Sequence, residues 1–522
     1  MSKIFHDLMI SLDTDLDEKI QELVPGYSDY RILRQSVDAR RRQAAPQLVY
    51  SVEVADAGEQ LKRKEWSLEK VSPPSEMPII IGTGPAGLFC ALRLLERGIP
   101  CRIFERGSNA ENRMKGINQF WRHGKLDRRN NVCFGEGGAG LYSDGKLITR
   151  IKSPHIPYVL RRLVDFGAPP EIEFLANPHV GSDRLRRVIP KLRYHLLQAG
   201  CEIHFDTQVT HILQQNNQIT GIRTEKGQEF NSSMVVVATG HSAEDMLYHL
   251  HDIGVKLEGK SYALGLRVEH PQAEVNRIQY RDYSEHPKLG AANYKLAHHD
   301  KKNNVGVFSF CMCPGGYVLS SGTDDEGLVC NGMSNYRRNS AWANSAIVVS
   351  IDHQLLFKQN LFGGLQFRQT LERKAKSLVV NAGGTKQLPA QRLQDFIDGK
   401  NSTELISTSS PSGAINTRLD LLLPDFIREK MIEGVLEFQK TMKGFISPKA
   451  QLFAIESRTS CPIRIPRDSQ TFQSLSHKGL YPAGEGAGYA GGITSAACDG
   501  VNIADAIAEV LSSTPLSLTP GS

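Results

Sequence analysis

Two hydrophobic periods alternate along most of this chain. Ile79 to Ile81 form an unbroken apolar run. Apolar residues then recur at Leu88, Ala91, Leu92 and Leu95, and Cys101 to Phe104 form a second short run. A short apolar run suits a strand buried on both faces, and the spacing i, i+3, i+4, i+7 is one face of a helix. The pattern predicts strand, helix, strand. Upstream, Phe5 to Leu12 reads as a strand, and Leu16, Ile20 and Leu23 as a short helix ending near Pro25-Gly26. Residues 31–36 and 48–54 read as strands, the second alternating Leu48, Tyr50, Val52, Val54. Downstream, helices are predicted near 109–121, over 157–167 and over 182–199. Strand alternation follows over 200–212, then a hairpin-like pair over 219–224 and 229–237.

The order of these elements predicts an α/β fold. A small α+β module occupies 1–72, and the Pro-containing stretch Val71 to Pro78 links it onward. A Rossmann-like domain is split in two, 76–249 and 446–511. Between its halves, 250–445 mixes strand and helix patterns and reads as an inserted α+β domain. Residues 512–522, rich in Ser, Thr and Pro, read as a loose tail.

The turn between the first predicted strand and helix reads Gly82-Thr-Gly84-Pro85-Ala86-Gly87, a G-x-G-x-x-G in the context its mechanism requires. Gly82 makes the tight turn, Gly84 lets the backbone approach a pyrophosphate, and Gly87 lets helix and strand pack closely. The helix start offers free N–H groups and a positive dipole end. Glu105, eighteen residues past Gly87, ends the second strand. There a carboxylate accepts from an adenosine ribose and disfavours a 2′-phosphate.

Composition narrows the choice. With 522 residues, 40% hydrophobic and 23% charged, the chain is an ordinary globular protein of about three domains. A net charge of +6 is small for this length and does not argue for nucleic acid. No segment approaches the roughly 20 apolar residues that span a bilayer, and the start lacks a signal-peptide h-region. A cytoplasmic protein is expected, with no membrane partner. Nine cysteines, an odd number without a C-x-x-C, fit reduced thiols, and Cys311 with Cys313 is too little for a zinc site. No metal is expected. The basic run Arg40-Arg41-Arg42 is expected to face solvent.

A second glycine-rich segment decides the nature of the first. Gly479 to Ile507 reads as a short strand, then Gly484-Glu485, a loop through Gly491-Gly492, and a helix from about Thr494. FAD is too long for one mononucleotide site. Its adenosine end suits the first unit, and its flavin end needs a second anchor. Glu485 is placed to bond a ribityl hydroxyl, Gly491 and Gly492 allow close passage, and the helix start aims N–H groups where charge collects on flavin reduction. No second G-x-G-x-x-G stands between a credible strand and helix; Gly135-x-Gly137-Gly138-x-Gly140 fits poorly. A dedicated NAD(P)H domain is therefore not expected, and NAD(P)H is left the role of a diffusible reductant.

These segments, with Val237-Ala-Thr239-Gly240, resemble FAD-binding oxidoreductases of the glutathione-reductase-like superfamily. The likeness is nearer to the uncharacterised FAD-dependent dehydrogenases of bacteria, carried by Phe134 to Gly140, Ser143 to Leu147, Cys313 to Gly316, Ala343 to Ser345, Glu456 to Arg464 and Gly484 to Ala496. It spans nearly the whole chain. The resemblance implies bound FAD, a discontinuous FAD-binding domain and an inserted substrate domain, but no known substrate. By it, Gly82, Gly84, Pro85, Ala86 and Gly87 hold the pyrophosphate, and Glu105 and Arg106 the adenosine side. Val209, taken to sit in the strand after the 182–199 helix, contacts adenine through its backbone. Thr239 and Gly240 line the adenosine half. Gly484, Glu485, Gly492, Ile493 and Thr494 hold ribityl and flavin, and Gly137 and Gly138 approach flavin or pyrophosphate. Glu485 stands where many relatives in the wider superfamily have Asp.

The expected activity is that of an FAD-dependent dehydrogenase passing a hydride between a small-molecule substrate and flavin N5, with the inserted domain covering the flavin. No catalytic residue is assigned, because the cofactor carries the hard chemistry. Arg458 and Arg464 are candidates for binding an anionic substrate, for stabilising reduced flavin, or only for pairing with a carboxylate such as Glu456. Cys461 and the Cys311/Cys313 pair read as thiols or filler. His241 reads as a polar contact, and Asp144 and Lys146 as site lining or loop closure. Two other classes stay open: an RNA-modification or RNA-associated flavoprotein, on Arg40 to Arg42 and Lys301-Lys302 beside His298 and His299, and a redox-sensing flavoprotein without turnover.

Overall fold

A computed structural model describes residues 2–40, 45–63 and 65–513. Arg41, Arg42 and residues 514–522 lie outside them. The N-terminal module is a three-stranded antiparallel sheet, β1 (Ser2–Ser11), β2 (Asp29–Asp38) and β3 (Gln47–Ala55), with β3 central and the helix Leu16–Leu23 beside it. The alternation read from Leu48 to Val54 points its apolar side inward: all four residues are buried, in one core with strands and helices of the inserted domain. The module also bonds the next domain, where Gln35 N–H donates to Phe174 O at 2.9 Å and Ala176 N–H to Gln35 O at 2.8 Å.

The Rossmann-like sheet is parallel. β4 (Ile79–Ile81), β5 (Arg102–Phe104) and β6 (Glu202–His204) run outward in one direction, and β10 (Val235–Val237) lies on the other side of β4. The last strand, β22 (Leu480–Pro482), closes the order β22-β10-β4-β5-β6. The three-residue apolar runs are what a strand with covered faces needs, and β4, β10 and β22 are wholly buried. Strand order reverses between β4 and β10, so the crevice at their carboxyl ends is a topological switch point, where ligands of such sheets bind. Between β6 and β10 the chain makes a separate antiparallel sheet, β7 (Val209–Gln215), β8 (Gln218–Thr224) and β9 (Glu229–Asn231). The stretch 229–237 thus divides: its start pairs in this small sheet and its end joins the parallel one. Val209 likewise opens β7, one strand later than its expected place.

The helices Pro85–Glu96 and Ile493–Ser513 pack face to face. At Gly500 a Cβ would stand 2.1 Å from Ala86 O, so only glycine permits this approach. The second helix starts one residue before the expected Thr494 and runs through Ser513, into the stretch expected to be tail.

The inserted domain is bracketed by a two-stranded pair, β11 (Glu258–Gly259) with β21 (Ile463–Arg464). Its main sheet joins seven strands: β12 (Tyr262–Pro271), β13 (Ala297–Asp300), β14 (Val305–Cys313), β17 (Trp342–Ile351), β18 (Leu388–Arg392), β19 (Ala414–Asn416) and β20 (Gln451–Glu456), in the order β13-β14-β17-β12-β20-β18-β19. A hairpin, β15 (Gly316–Ser321) and β16 (Val329–Ser334), lies against it. The division at 445/446 places β20 in the nucleotide-binding domain. In the structure β20 is a fully buried strand paired on both edges, with β12 and β18, and it belongs to the inserted sheet.

Candidate active site

One large cavity, about 1000 Å³, starts at the carboxyl ends of the parallel strands and extends to the inserted sheet. That is the upper end of the range for small-molecule sites, roughly 300–1,000 Å³. Of the residues singled out in the sequence, it brings together Gly82, Gly84, Pro85, Ala86, Glu105, Arg106, Gly138, Val209, Thr239, Gly240, Glu485, Gly492 and Ile493. Gly87, Gly137, Gly484 and Thr494 stand behind its wall. Each has a structural task there. A Cβ at Gly87 would lie 2.0 Å from Gly82 O, the close helix–strand contact expected of it. Gly137 N–H donates to Thr83 O at 3.0 Å. Gly484 N–H donates to Asp499 Oδ2 at 2.7 Å, and Thr494 Oγ1 to Leu147 O at 2.7 Å.

Glu105 is the hub of the first end. One carboxylate oxygen accepts from Thr83 N–H at 3.1 Å and Thr83 Oγ1 at 2.6 Å. The other accepts from Gly107 N–H at 3.0 Å and Gly135 N–H at 3.1 Å. A carboxylate has about four acceptor positions, so the chain itself fills them. Arg106 reaches both oxygens of Asp245 at 3.0 Å and lies over the Phe134 ring at 4.3 Å. Arg113, which the sequence reading missed, is fully buried and donates to the carbonyls of Asn131, Val132, Gly135, Glu136 and Gly138. It winds the 131–138 loop around a guanidinium. An arginine in the first turn of an amphipathic helix gives no signal of that role.

At Gly240, after β10, and at Gly491, in the second glycine-rich segment, nothing lies within 4 Å of where a Cβ would stand, and at Gly492 only Ser495 Oγ lies at that distance. All three line the cavity, so a side chain at any of them would project into it. Glu485 also lines it and makes no side-chain hydrogen bond among the described residues. Burial pushes its carboxyl up to about 8 although Lys260 and Arg368 pull the other way. A chain of bare backbone ending on an unpartnered carboxyl is a cradle for an elongated ligand with hydroxyls. The residues present fit FAD.

The inserted domain supplies the remaining wall. β14 bulges between Phe310 and Cys313, where its register against β17 shifts, and Cys311 adopts a left-handed φ of 44°. Bulges re-aim side chains beside active sites. Here Cys311 is the only exposed cysteine among the described residues, yet it faces the cavity within the protein, and burial pushes its thiol up to about 12. Glu456 lines the same region and is held from behind by the buried Arg267, Nε to Oε2 at 2.8 Å. Arg458 does not pair with Glu456. It clamps Glu372, with further bonds to Ser242 and Thr323. Arg464 is exposed and outside the cavity lining, and Cys461 is fully buried away from it. His241 lines the cavity, but burial, then Arg368 and Arg458, hold its pKa down to about 3, so it is a neutral polar contact. Among the described residues no group of His, Cys, Asp and Glu is placed to hold a metal, and no helix is long and apolar enough to cross a membrane.

A protein of Clostridium beijerinckii (strain ATCC 51743 / NCIMB 8052), described as an uncharacterized protein, is 36% identical over 528 residues, covering 97% of this chain and 98% of its own. The chain belongs to the same family. Residues 261–459 match the family described as FAD-dependent protein, C-terminal domain-like, and residues 177–294 match FAD dependent oxidoreductase. The protein is an FAD-dependent oxidoreductase, and its cofactor is FAD. The first match opens two residues after β11 and closes four before β21, so the oxidoreductase's inserted domain and the family domain coincide. Solved structures similar to the oxidoreductase include the flavin-dependent brominase Bmp2 (10% identity, 85% of this chain and 80% of that one, TM-score 0.39). L-proline dehydrogenase from P. horikoshii also matches (13%, 86% and 96%, 0.34), as does L-amino acid deaminase from Proteus myxofaciens (12%, 92% and 95%, 0.33). At those TM-scores the likeness is too slight to bear on chemistry.

Proposed function

We propose that the oxidoreductase is a dehydrogenase of a small molecule, with FAD extended along the cavity and the substrate between it and the inserted sheet. One observation carries this reading: a single cavity joins two glycine-rich segments some 400 residues apart to the face of β14. Gly82, Gly84, Pro85 and Ala86 would hold the pyrophosphate, with Gly87 securing the helix behind them. Arg106, Val209, Thr239 and Gly240 would border the adenosine. Because Glu105 already accepts four bonds from the chain, its first task is to hold Thr83, Gly107 and Gly135 in place; a ribose hydroxyl would share the site with the Thr83 hydroxyl. Glu485, Gly492 and Ile493 would border ribityl and flavin, with Gly484 and Thr494 fixing that loop, while Gly137 and Gly138 stand against Thr83 and Gly84 beside the pyrophosphate. Bound FAD supplies a hydride acceptor or donor at N5. Diffusible NAD(P)H is the candidate electron partner. The parallel order β22-β10-β4-β5-β6, with the β7–β9 excursion, supports a nucleotide-binding domain of the glutathione-reductase-like kind.

The test is direct. Purified protein reconstituted with FAD should retain flavin absorbance through gel filtration. Anaerobic mixing with a panel of oxidisable small molecules should bleach it with at least one. Protein that keeps no flavin would overturn the reading of the cavity, and bound flavin that no compound reduces would overturn the dehydrogenase.

A further inference from the structure

The cavity wall at Ser143–Lys146 and Arg338 carries a charge imbalance. Asp144 is 3% exposed and accepts from Arg338 Nε at 3.2 Å, from Arg338 Nη2 and from the Ser334 hydroxyl. Lys146 Nζ stands 3.8 Å from the same carboxylate, with the Lys146 side chain 30% exposed. One carboxylate thus faces two cations, and the cluster is left with one positive charge. Arg150 and Lys295 line the same cavity and have no ion-pair partner among the described residues, but both are exposed, so the surplus rests on Lys146 and Arg338.

The acids of the cavity do not answer this charge. Glu105 is filled by four donors from the chain. Glu456 is paired with Arg267. Glu485 has Lys260 and Arg368 as the cations acting on it, and burial favours its neutral form. Arg106 and Arg458 are paired with Asp245 and Glu372. The net surplus in the substrate half is therefore positive. A partly desolvated cation without a counter-charge is costly, and a ligand that brings the counter-charge is bound for that reason. The adjoining walls mix apolar and polar residues, with Tyr294, Leu296, Phe308, Phe310 and Met312 as their large apolar side chains.

We infer that the substrate half takes a small carboxylate with an apolar body, its carboxylate set at Lys146 and Arg338. The inference rests on reading this cavity as the substrate site of the oxidoreductase. Cys311 is a built-in reporter, since its thiol faces the same wall and Lys146 is the charged group that acts on it most.

The experiment alkylates Cys311 with iodoacetamide in the FAD-loaded protein, at about pH 9 because the thiol is held protonated. Peptide mass spectrometry follows the rate with phenylacetate or its neutral isostere phenylacetamide present. Phenylacetate should slow the reaction severalfold and phenylacetamide should not, and added salt should weaken the protection. Lys146→Met should raise the protecting concentration about tenfold, the scale of one charge-assisted contact, whereas Lys146→Arg should keep it. Equal protection by both compounds, none by the acid, or full protection in Lys146→Met would each overturn the inference. Flavin absorbance is read on the same samples. Loss of flavin with protection intact would count against the cofactor reading and leave the anion site standing.

Discussion

Arg458 and Glu372 form a bidentate ion pair, Nε to Oε1 at 3.0 Å and Nη2 to Oε2 at 2.8 Å, that ties the segment after β20 to the helix Gly363–Asn381. Burial would push the Glu372 carboxyl up, but the guanidiniums of Arg458 and Arg368 more than reverse this. Side-chain exposure is 6% and 2%, so removal of one partner leaves a charge sealed in protein. Arg458→Met should lower unfolding free energy by about 3–5 kcal/mol. The double variant Arg458→Met/Glu372→Gln should recover part of it. Urea unfolding of the three proteins checks both statements, and a loss below about 1 kcal/mol would show that the pair is not a clamp.

Two glycine substitutions should fail in different ways. Gly500→Ala forces a methyl to 2.1 Å from Ala86 O, and should destabilise the protein by about 1–3 kcal/mol or more through separation of the two helices. Gly491→Ala meets nothing within 4 Å. It should leave the apoprotein within about 0.5 kcal/mol of the parent while weakening FAD binding. Thermal melts with and without FAD separate the two effects.

Glu105→Gln replaces an acceptor-only group by one whose amide nitrogen must face two donors. Whichever way the amide turns, at least one backbone N–H loses its acceptor, that of Thr83 or those of Gly107 and Gly135. A loss of about 1–3 kcal/mol is expected in the apoprotein, before any cofactor is added. If the apoprotein is unchanged and only FAD affinity falls, the carboxylate serves the ribose alone and its role as hub is wrong.

The Glu485 carboxyl gives a pH signature. Its pKa is raised from 4.5 to about 8 in the fold. Between these values the unfolded chain has released a proton that the folded one keeps, so apoprotein stability should fall as pH rises from about 4.5 and level off near 8. Glu485→Gln lacks this slope and should overtake the parent with rising pH. Parallel stability–pH profiles for the two proteins would sink the prediction.

Much of this was legible because local pattern and tertiary demand agreed. The glycines at 82, 84 and 87 and the apolar runs beside them read as a dinucleotide turn, and the structure puts that turn where the parallel strands end. The Leu48–Val54 alternation told which side of β3 is inside. Pairing was less legible. Gln451–Glu456 is a buried run that fits a central strand of either sheet, and its neighbours β12 and β18 are far away in sequence. The split of 229–237 between two sheets was hidden for the same reason. Arg458 was visible as a candidate but its partner was not, since Glu372 sits on a helix 86 residues upstream. Cys311 owed its orientation to a bulge, which leaves no periodic trace.

The edge position of β22 has a consequence for how the molecule is made. A ribosome delivers β4 and the first glycine turn early, and four strands of the parallel sheet are complete once residue 237 has emerged. The fifth strand, the second glycine loop and the helix that covers Pro85–Glu96 arrive only with the last tenth of the chain. Until then the face of that helix that packs on Ile493–Ser513 stays uncovered. A chain cut before Leu480 would lack half of the cradle, so the ability to keep FAD reports that the segment Leu480–Ser513 is present and folded.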